Sequence, residues 1–302
     1  MDLVNHLTDR LLFAVPKKGR LYQQCLDLLQ GADIKFNRSH RLDIALSTNL
    51  PIALVFLPAA DIPRFVGEGR VSLGITGQDQ VAESEMDVHE LFELGFGNCK
   101  LQVQAPEGTV KDPRELIGKN VVTSFTNLTE KYFRALESEA ANGAAVAGAP
   151  LKTRIKHVGG SVEAACALGV ADGIVDLVES GETMRAAGLE AISTVFETGA
   201  VLIASKTPSH PELVQTIKAR IEGVIAAQNY VLCNYNVPRA RLEMATSITP
   251  GRRAATVSPL EDPEWVAVSS MVRKKNIASI MDQLKENGAE DILVFNISNC
   301  RV

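Results

Sequence analysis

The sequence predicts an α/β body on a largely parallel sheet, followed by a separate small module of ferredoxin-like order. Three observations carry this expectation. Short apolar runs alternate with helical patterns through the first two-thirds of the 302-residue chain. Between residues 120 and 188 three strand–loop–helix units stand in a row, which places helices on the faces of a parallel sheet. Beyond about residue 225 the order becomes strand–helix–strand–strand–helix–strand, the split pattern of a compact module. A chain of this length holds two or three domains at roughly 100–200 residues each.

In chain order, "LLFAV" (11–15) reads as a strand and "LYQQCLDLLQG" (21–31) as a helix ending at a glycine cap. "LDIALS", "IALVFL" and "VSLGIT" give further strands, with "DIPRFVGEG" a short helix before the last of them. "KLQVQA" (100–105) begins a change of register. The three units that follow are "NVVTS" with "TNLTEKYFRALESEA", "RIKHV" with "SVEAACALG", and "GIVDL" with "SGETMRAAG". Between the first two, "EAANGAAVAGAP" (139–150) is rich in small residues and reads as a surface loop. "TVFETGAVLIAS" (194–205) reads as a single strand, and "ELVQTIKARIEGVIAAQ" (212–228) as a long amphipathic helix. The module then runs through "YVLCNY", "PRARLEMATS", "AATVSP", "EWVAVSSMV", "NIASIMDQLKENGA" and "DILVFNIS".

Composition narrows the function classes. The chain is 46% apolar and 22% charged, enough to bury full cores. A formal net charge of −5 argues against a general nucleic-acid binder, so an anionic ligand would need individually placed groups. Cys25, Cys99, Cys166, Cys233 and Cys300 are scattered without a C-x-x-C pair, which predicts reduced thiols rather than a disulfide framework or zinc site. The start "MDLVNHLTDR" does not resemble a signal peptide, and no run of 18 apolar residues occurs. The expectation is a soluble cytoplasmic protein with no membrane or nucleic-acid partner.

Four strand-to-helix loops offer chemistry, because unpaired N–H groups collect where strands end and helices begin. "VPKKGR" sets Lys17, Lys18 and Arg20 around Gly19, which suits an anion as well as it suits a solvated basic turn. It lacks the Walker A spacing. In "LGITGQDQ", Thr76-Gly77 reads first as a cap. In "HVGGSVEAA", Ser161 reads as the N-cap of a helix carrying Glu163 in its first turn. The fourth loop, "DLVESGETM", is different. Ser180, Gly181 and Thr183 make a cradle suited to phosphate, while Asp176 and Glu179 would repel a bare one. A phosphorylated sugar resolves the conflict, its hydroxyls or a Mg²⁺ ion meeting the carboxylates.

The run from Glu163 to Met184, "EAACALGVADGIVDLVESGETM", resembles the signature of the ATP phosphoribosyltransferase family, with Glu163, Gly169, Ala171, Ile174, Asp176, Ser180, Gly181, Thr183 and Met184 at the signature spacings. The similarity runs end to end. "LLFAVPKKGRL", "LGITGQDQV", "FGNCKLQVQAP", "ATSITPGRRAATVSPL" and "ISNCRV" are similar to the fungal form of the enzyme, and the C-terminal module marks the long form. The resemblance implies a catalytic body (1–224) of two periplasmic-binding-protein-like lobes. Lobe I would cover about 1–105 plus 193–210 and lobe II about 106–192, with helix 211–224 leading out. Residues 225–302 would form an ACT-type regulatory domain.

It also implies a reaction, the first step of histidine biosynthesis. N1 of ATP attacks C1 of phosphoribosyl pyrophosphate (PRPP) and pyrophosphate leaves, in a Mg²⁺-dependent enzyme that histidine inhibits and that is typically hexameric. Carried over, Ser180, Gly181, Glu182 and Thr183 would hold the 5-phosphate. Asp176 and Glu179 would sit at the ribose hydroxyls, with Glu163 orienting the site. Lys17, Gly19 and Arg20 would face pyrophosphate or ATP phosphates, and Thr76 and Gly77 would line the same cleft. The metal would be carried mainly by substrate phosphates. The histidine pocket would draw on Asn236, Arg252, Thr256, Met271 and Asp291. Bacterial relatives often carry arginines where Phe56, Leu57 and Pro58 stand here, so those nucleotide contacts are not inherited; Arg38 or Arg41 could replace them. Bacterial long forms also often have an acid where Asn236 stands.

Other classes fit less well. A solute-binding protein would be expected to carry a signal peptide, and a non-catalytic paralogue would not keep the "SGET" loop. The "DDxxxTGxT" loop of commoner phosphoribosyltransferases is not matched.

Overall fold

The structure, a computed structural model, describes residues 7–38, 42–140 and 150–301. Most of the small-residue segment 139–150, together with Arg41, therefore lies outside the described residues. Two compact units emerge, one from residues up to 25 with 36–210, the other from 26–35 with 211 onward.

The first unit holds two sheets. β1 (Leu11–Pro16), α1 (Tyr22–Gly31, which groups with the second unit from residue 26), β2 (Ile44–Leu46), β3 (Ile52–Leu57), α2 (Ile62–Gly67), β4 (Leu73–Gly77), α3 (Gln78–Ser84) and β5 (His89–Glu93) come first. The chain then passes into β6 (Cys99–Pro106), β7 (Asn120–Thr123), α4 (Thr126–Ala140), β8 (Arg154–His157), α5 (Ala164–Ala167), β9 (Gly173–Val178), α6 (Glu182–Ala186) and β10 (Leu189–Thr198). It returns as β11 (Ala200–Ala204). The first sheet has the order β2-β3-β1-β4-β11-β5 and the second β10-β6-β9-β7-β8.

Both sheets are mixed rather than largely parallel. Pairings β1–β3, β1–β4, β7–β8 and β7–β9 are parallel. β11 runs antiparallel to β4 and β5, and β6 antiparallel to β9 and β10. The two passages between sheets each deliver a strand running against its neighbours, and β2 adds an antiparallel edge to β3.

Against the limits of 105 and 193 expected from the resemblance, the chain passes between the sheets near 98 and 199, since β6 and β10 belong to the second sheet. The run 194–205, expected as one strand, is two strands in different sheets, broken at Gly199. A Cβ there would lie 2.7 Å from Asn98 Oδ1, so glycine lets the passages lie side by side, joined by Ala200 N donating to Phe96 O at 2.9 Å. Strand β5, His89–Glu93, carries little apolar alternation and was not expected.

Apolar layers cover both faces of the second sheet. Leu101, Val103, Val175 and Phe133 meet on one side, and Val122, Ile174, Val162 and Leu189 on the other. Burying side chains of this size contributes about 1.5–3 kcal/mol each, which holds β9 rigidly beneath its terminal loop.

The second unit contains α7 (Pro211–Asn229), β12 (Tyr230–Pro238), α8 (Leu242–Ile248), β13 (Thr256–Pro259), β14 (Trp265–Arg273), α9 (Ile277–Glu286) and β15 (Glu290–Asn296). Its sheet has the order β13-β14-β12-β15, antiparallel throughout, which is the expected split arrangement. Along β12, Val231, Cys233, Tyr235 and Val237 are buried while the alternating residues are half-exposed, so one face packs on helices. Helix α7, expected to lead out of the body, groups with this module from its first residue. Its Gly223 has no room for a Cβ against Cys300 O, and Cys300 Sγ donates to Gly223 O at 3.3 Å.

Candidate functional site

A cavity of about 260 Å³ opens at the carboxyl end of β9. Its walls bring together the predicted residues Arg20, Glu163, Asp176, Glu179, Ser180, Gly181, Glu182 and Thr183. They come from three loops distant in sequence, as the topology of open α/β sheets favours.

Asp176 is the fourth residue of β9 and is half-buried. Its Oδ1 accepts from Leu177 N at 2.8 Å. Burial pushes this carboxyl up from its ordinary range, the Leu177 hydrogen bond opposes that, and the nearby Glu163 charge adds to it. Two carboxylates thus compete for one small space, which favours a cation or hydroxyl donors between them.

The turn after β9 is shaped by Gly181, whose φ of +76° lies in the left-handed region. A Cβ there would also lie 2.7 Å from Arg185 Nη1, whose guanidinium reaches back to donate from Nη2 to Ser180 O at 3.1 Å. Glu182 N donates to Ser180 Oγ at 3.4 Å, a long contact that leaves the hydroxyl available to a ligand. Helix α6 has five residues, so binding here would rest on local N–H and hydroxyl donors rather than a helix dipole.

Ser161 does not cap a helix. Its φ is +50°, and Glu163 occupies the N-cap of α5 with no side-chain cap bond, which leaves its carboxylate facing the cavity.

The remaining first-lobe predictions divide. Arg20 lies in the cavity wall, its Nη1 donating to Gly97 O and its Nη2 3.4 Å from Asp79 Oδ1. Lys17 Nζ lies 3.9 Å from Asp43 and is not among the cavity residues, and Gly19 is exposed with a φ of +89°. Thr76 is fully buried and donates to Ala59 O at 2.8 Å, so its hydroxyl is committed inside the fold rather than to the cleft. Gly77 is a spacer. A Cβ there would collide with Asp79 Oδ1, so glycine makes room for that carboxylate. Arg38 stacks 3.8 Å above the Phe56 ring, donates to Tyr22 Oη at 3.2 Å and lies 3.6 Å from Asp43.

Sequence reasoning missed Asp79, Gln104 and Cys99. Asp79 is fully buried, and Gln104, 2% exposed, donates to the Asp176 carbonyl at 3.3 Å. Polar residues at inward strand positions or in a first helical turn beside glycine were the available signals. Cys99 lines the cavity, but its thiol is pushed up to about 11 by burial first, so it is no ready nucleophile.

In the second unit the expected effector residues form two groups. Asn236 Nδ2 donates to Asp291 Oδ2 at 3.0 Å, and Asp291 has a φ of +48°. Arg252, Thr256 and Met271 line a separate cavity of about 630 Å³. Between them in the sheet register, Asn234 is opposite Ser269, which pairs with Thr256; its Oδ1 is buried without a hydrogen-bond partner among the described residues.

No group of three or more acids, histidines or cysteines able to hold a metal occurs among the described residues. None of the described helices is long and apolar enough to cross a membrane.

A two-sheet α/β body with a polar cavity at the end of a central strand, joined to a βαββαβ module, defines the class of α/β proteins that take small molecules at strand ends, with an appended domain. The family model described as ATP phosphoribosyltransferase matches residues 58–223, and one described as HisG, C-terminal domain, matches 227–299. The chain is 70% identical to the ATP phosphoribosyltransferase of Yarrowia lipolytica and 64% to that of Kluyveromyces lactis, with 100% of each chain covered in both cases. A solved ATP phosphoribosyl transferase (HisG:HisZ) complex from Thermotoga maritima superposes with a TM-score of 0.60 at 23% identity, covering 72% of this chain and 98% of that one, a likeness of fold. The chain belongs to the ATP phosphoribosyltransferase family and is thus a phosphoribosyltransferase of histidine biosynthesis.

Proposed function

We propose that the protein transfers the 5-phosphoribosyl group of PRPP to N1 of ATP with release of pyrophosphate, and that histidine inhibits it through the C-terminal module. The observation that carries this is the single cavity where Ser180–Thr183 meet Asp176, Glu179, Glu163 and Arg20. Ser180 and Thr183 with their neighbouring N–H groups would hold the 5-phosphate, and Asp176 and Glu179 the ribose hydroxyls. Arg20, which lines the same cavity, would meet the departing pyrophosphate.

Breaking the C1–O bond places positive character on the ribose and negative charge on pyrophosphate. Carboxylates beside the sugar and a cation beside the leaving group stabilise that separation, and holding both substrates together lowers the entropic barrier. Adenine N1 already has a lone pair, so no strong base is required. Hard carboxylate oxygens suit Mg²⁺, and the mutual repulsion of Asp176 and Glu163 favours a cation there. Bound through substrate phosphates with Asp176 or Glu179 alongside, Mg²⁺ would supply charge neutralisation of the leaving group.

The two passages between sheets support a pair of periplasmic-binding-protein-like lobes, and the βαββαβ order of the module supports an ACT-type domain. Histidine would be held among Asn236, Asp291, Arg252, Thr256 and Met271, with Asn234 as a further partner. Assembly as a hexamer and a cytoplasmic setting complete the proposal.

Pyrophosphate release from PRPP and ATP with Mg²⁺, repeated with histidine, tests it. No turnover would overturn the enzymatic assignment, and turnover insensitive to histidine would overturn only the regulatory one. Ser180→Ala with Thr183→Ala should raise the PRPP KM at least about 10-fold, the loss expected from removing charge-assisted phosphate contacts. Histidine binding should persist; an unchanged PRPP KM would move the phosphate site elsewhere.

A further inference from the structure

We propose that Asp79 is a positioning residue that fixes the Arg20 guanidinium in the cavity and, with Thr198, ties it to both passages between the two sheets. The inference rests on the assignment of Arg20 to a substrate phosphate. Arg20 follows β1, Asp79 lies in the first turn of α3, and Thr198 ends β10, so no local pattern links them.

The Asp79 side chain is 1% exposed and that of Arg20 23% exposed, with 3.4 Å between Nη2 and Oδ1. A carboxylate that deep is tolerable only when paired and hydrogen-bonded. Thr198 Oγ1 donates to Asp79 Oδ1 at 2.7 Å and accepts from Asp79 N at 2.9 Å. Gln80 Nε2 donates to Oδ2 at 2.9 Å. With both oxygens engaged, Asp79 is placed to hold a partner rather than to bind a ligand itself. Arg20 is the partner that reaches the cavity. A guanidinium offers five N–H donors; Gly97 O and Asp79 engage its two terminal nitrogens on the protein side, leaving further donors for an anion.

The same contacts anchor the passages. Gly97 lies in the outgoing one and Thr198 at the start of the returning one. Gln78 N also donates to Gly199 O at 3.0 Å. Glycine is required at three points of this network. Gly77 makes room for Asp79. Gly199 makes room for Asn98. Gly97, with a φ of +66°, has its would-be Cβ blocked by Leu21 and 3.5 Å from Arg20 Nη1.

The test uses the full-length protein, with pyrophosphate plus Mg²⁺ as the probe in calorimetric titrations and melting curves as the folding check. Asp79→Asn keeps the shape and removes the charge. Thr198→Val keeps the charge and removes the hydroxyl that orients it. Asp79→Asn should weaken pyrophosphate binding about 10- to 100-fold, the range expected when a charge-assisted hydrogen bond from Arg20 to the anion is lost. Thr198→Val should weaken it less. The double variant Arg20→Gln/Asp79→Asn should bind no worse than Arg20→Gln alone, which a merely structural role for Asp79 would not produce.

If Arg20→Gln leaves pyrophosphate binding intact, the assignment of Arg20 to a substrate phosphate fails. If Arg20→Gln weakens binding but both Asp79→Asn and Thr198→Val are normal, the positioning role fails. Additive losses in the double variant would overturn it too, by showing that Asp79 acts otherwise than through Arg20. Should Asp79→Asn not fold, Thr198→Val decides alone.

Discussion

Helix α4 begins without a cap of its own, and Glu83 supplies one from 44 residues away. Its Oε1 accepts from Asn127 N and its Oε2 from Leu128 N, both at 2.9 Å, while its carbonyl accepts from Asn127 Nδ2 at 2.7 Å. Replacing Glu83 by Ala removes the two carboxylate bonds and keeps the third. Losing an N-cap costs about 1 kcal/mol, and a carboxylate at a helix N-terminus contributes about 0.3–1 kcal/mol more. Glu83 is half-buried and Leu128 buried, so screening removes only part of this. The expected loss is about 1.5 kcal/mol, or roughly 2–3 °C in Tm at the unfolding entropy of a 302-residue chain.

Hydrogen exchange makes the measurement local. The Asn127 and Leu128 amides should exchange about 10-fold faster in Glu83→Ala, since about 1.4 kcal/mol is a factor of ten. Glu68→Ala is the control, because the Arg64–Glu68 pair is exposed at 74% and 45% of its side chains and contributes little. A Glu83→Ala protein that melts with the Glu68→Ala control, with unchanged exchange at 127 and 128, would refute the remote cap.

Two further predictions concern the cavity and the module. Because the Asp176 carboxyl is raised in the fold, by burial first, the folded state holds its proton more tightly than the unfolded chain. Stability of the ligand-free protein therefore falls as pH rises above the ordinary carboxylate range, near 4. Asp176→Asn should abolish turnover yet melt above the parent at pH 7, with the gap closing towards pH 4; a pH-independent gap would count against the cause. In the module, Tyr235 is buried and its Oη lies 2.7 Å from Thr249 Oγ1. Tyr235→Phe should cost about 1 kcal/mol in urea unfolding without changing kcat, Thr249 retaining its bond to Ala245 O; an unchanged unfolding midpoint would show the bond contributes nothing net.

Most of the cavity residues legible in the sequence sit in one local run whose acids and hydroxyls do not suit the same simple anion, while Arg20 and Glu163 come from two other loops. "DLVESGETM" sets acids beside hydroxyls suited to a phosphate, and the structure gathers Asp176, Glu179, Ser180, Gly181 and Thr183 around one cavity. Strand existence was legible for the same local reason, because apolar runs fix which residues must be buried. What was not legible depends on pairing across distance. The division of 194–205 between two sheets turns on the room between Gly199 and Asn98, and the cap of α4 on Glu83.

Thr76 shows the converse error. The Thr-Gly pair at a strand end reads first as a cap, and the family resemblance puts it in the cleft, but its hydroxyl donates to Ala59 O, and Gly77 keeps space for the buried Asp79. Glycine in such a loop thus has two readings. It serves the backbone where φ is left-handed, as at Gly181, whose φ is +76° and whose would-be Cβ meets the tip of Arg185. It serves a buried side chain where φ is ordinary and a Cβ would strike that side chain, as at Gly77. Only φ and the neighbour that a Cβ would strike tell the two apart, and both are set by the fold rather than by the adjoining sequence.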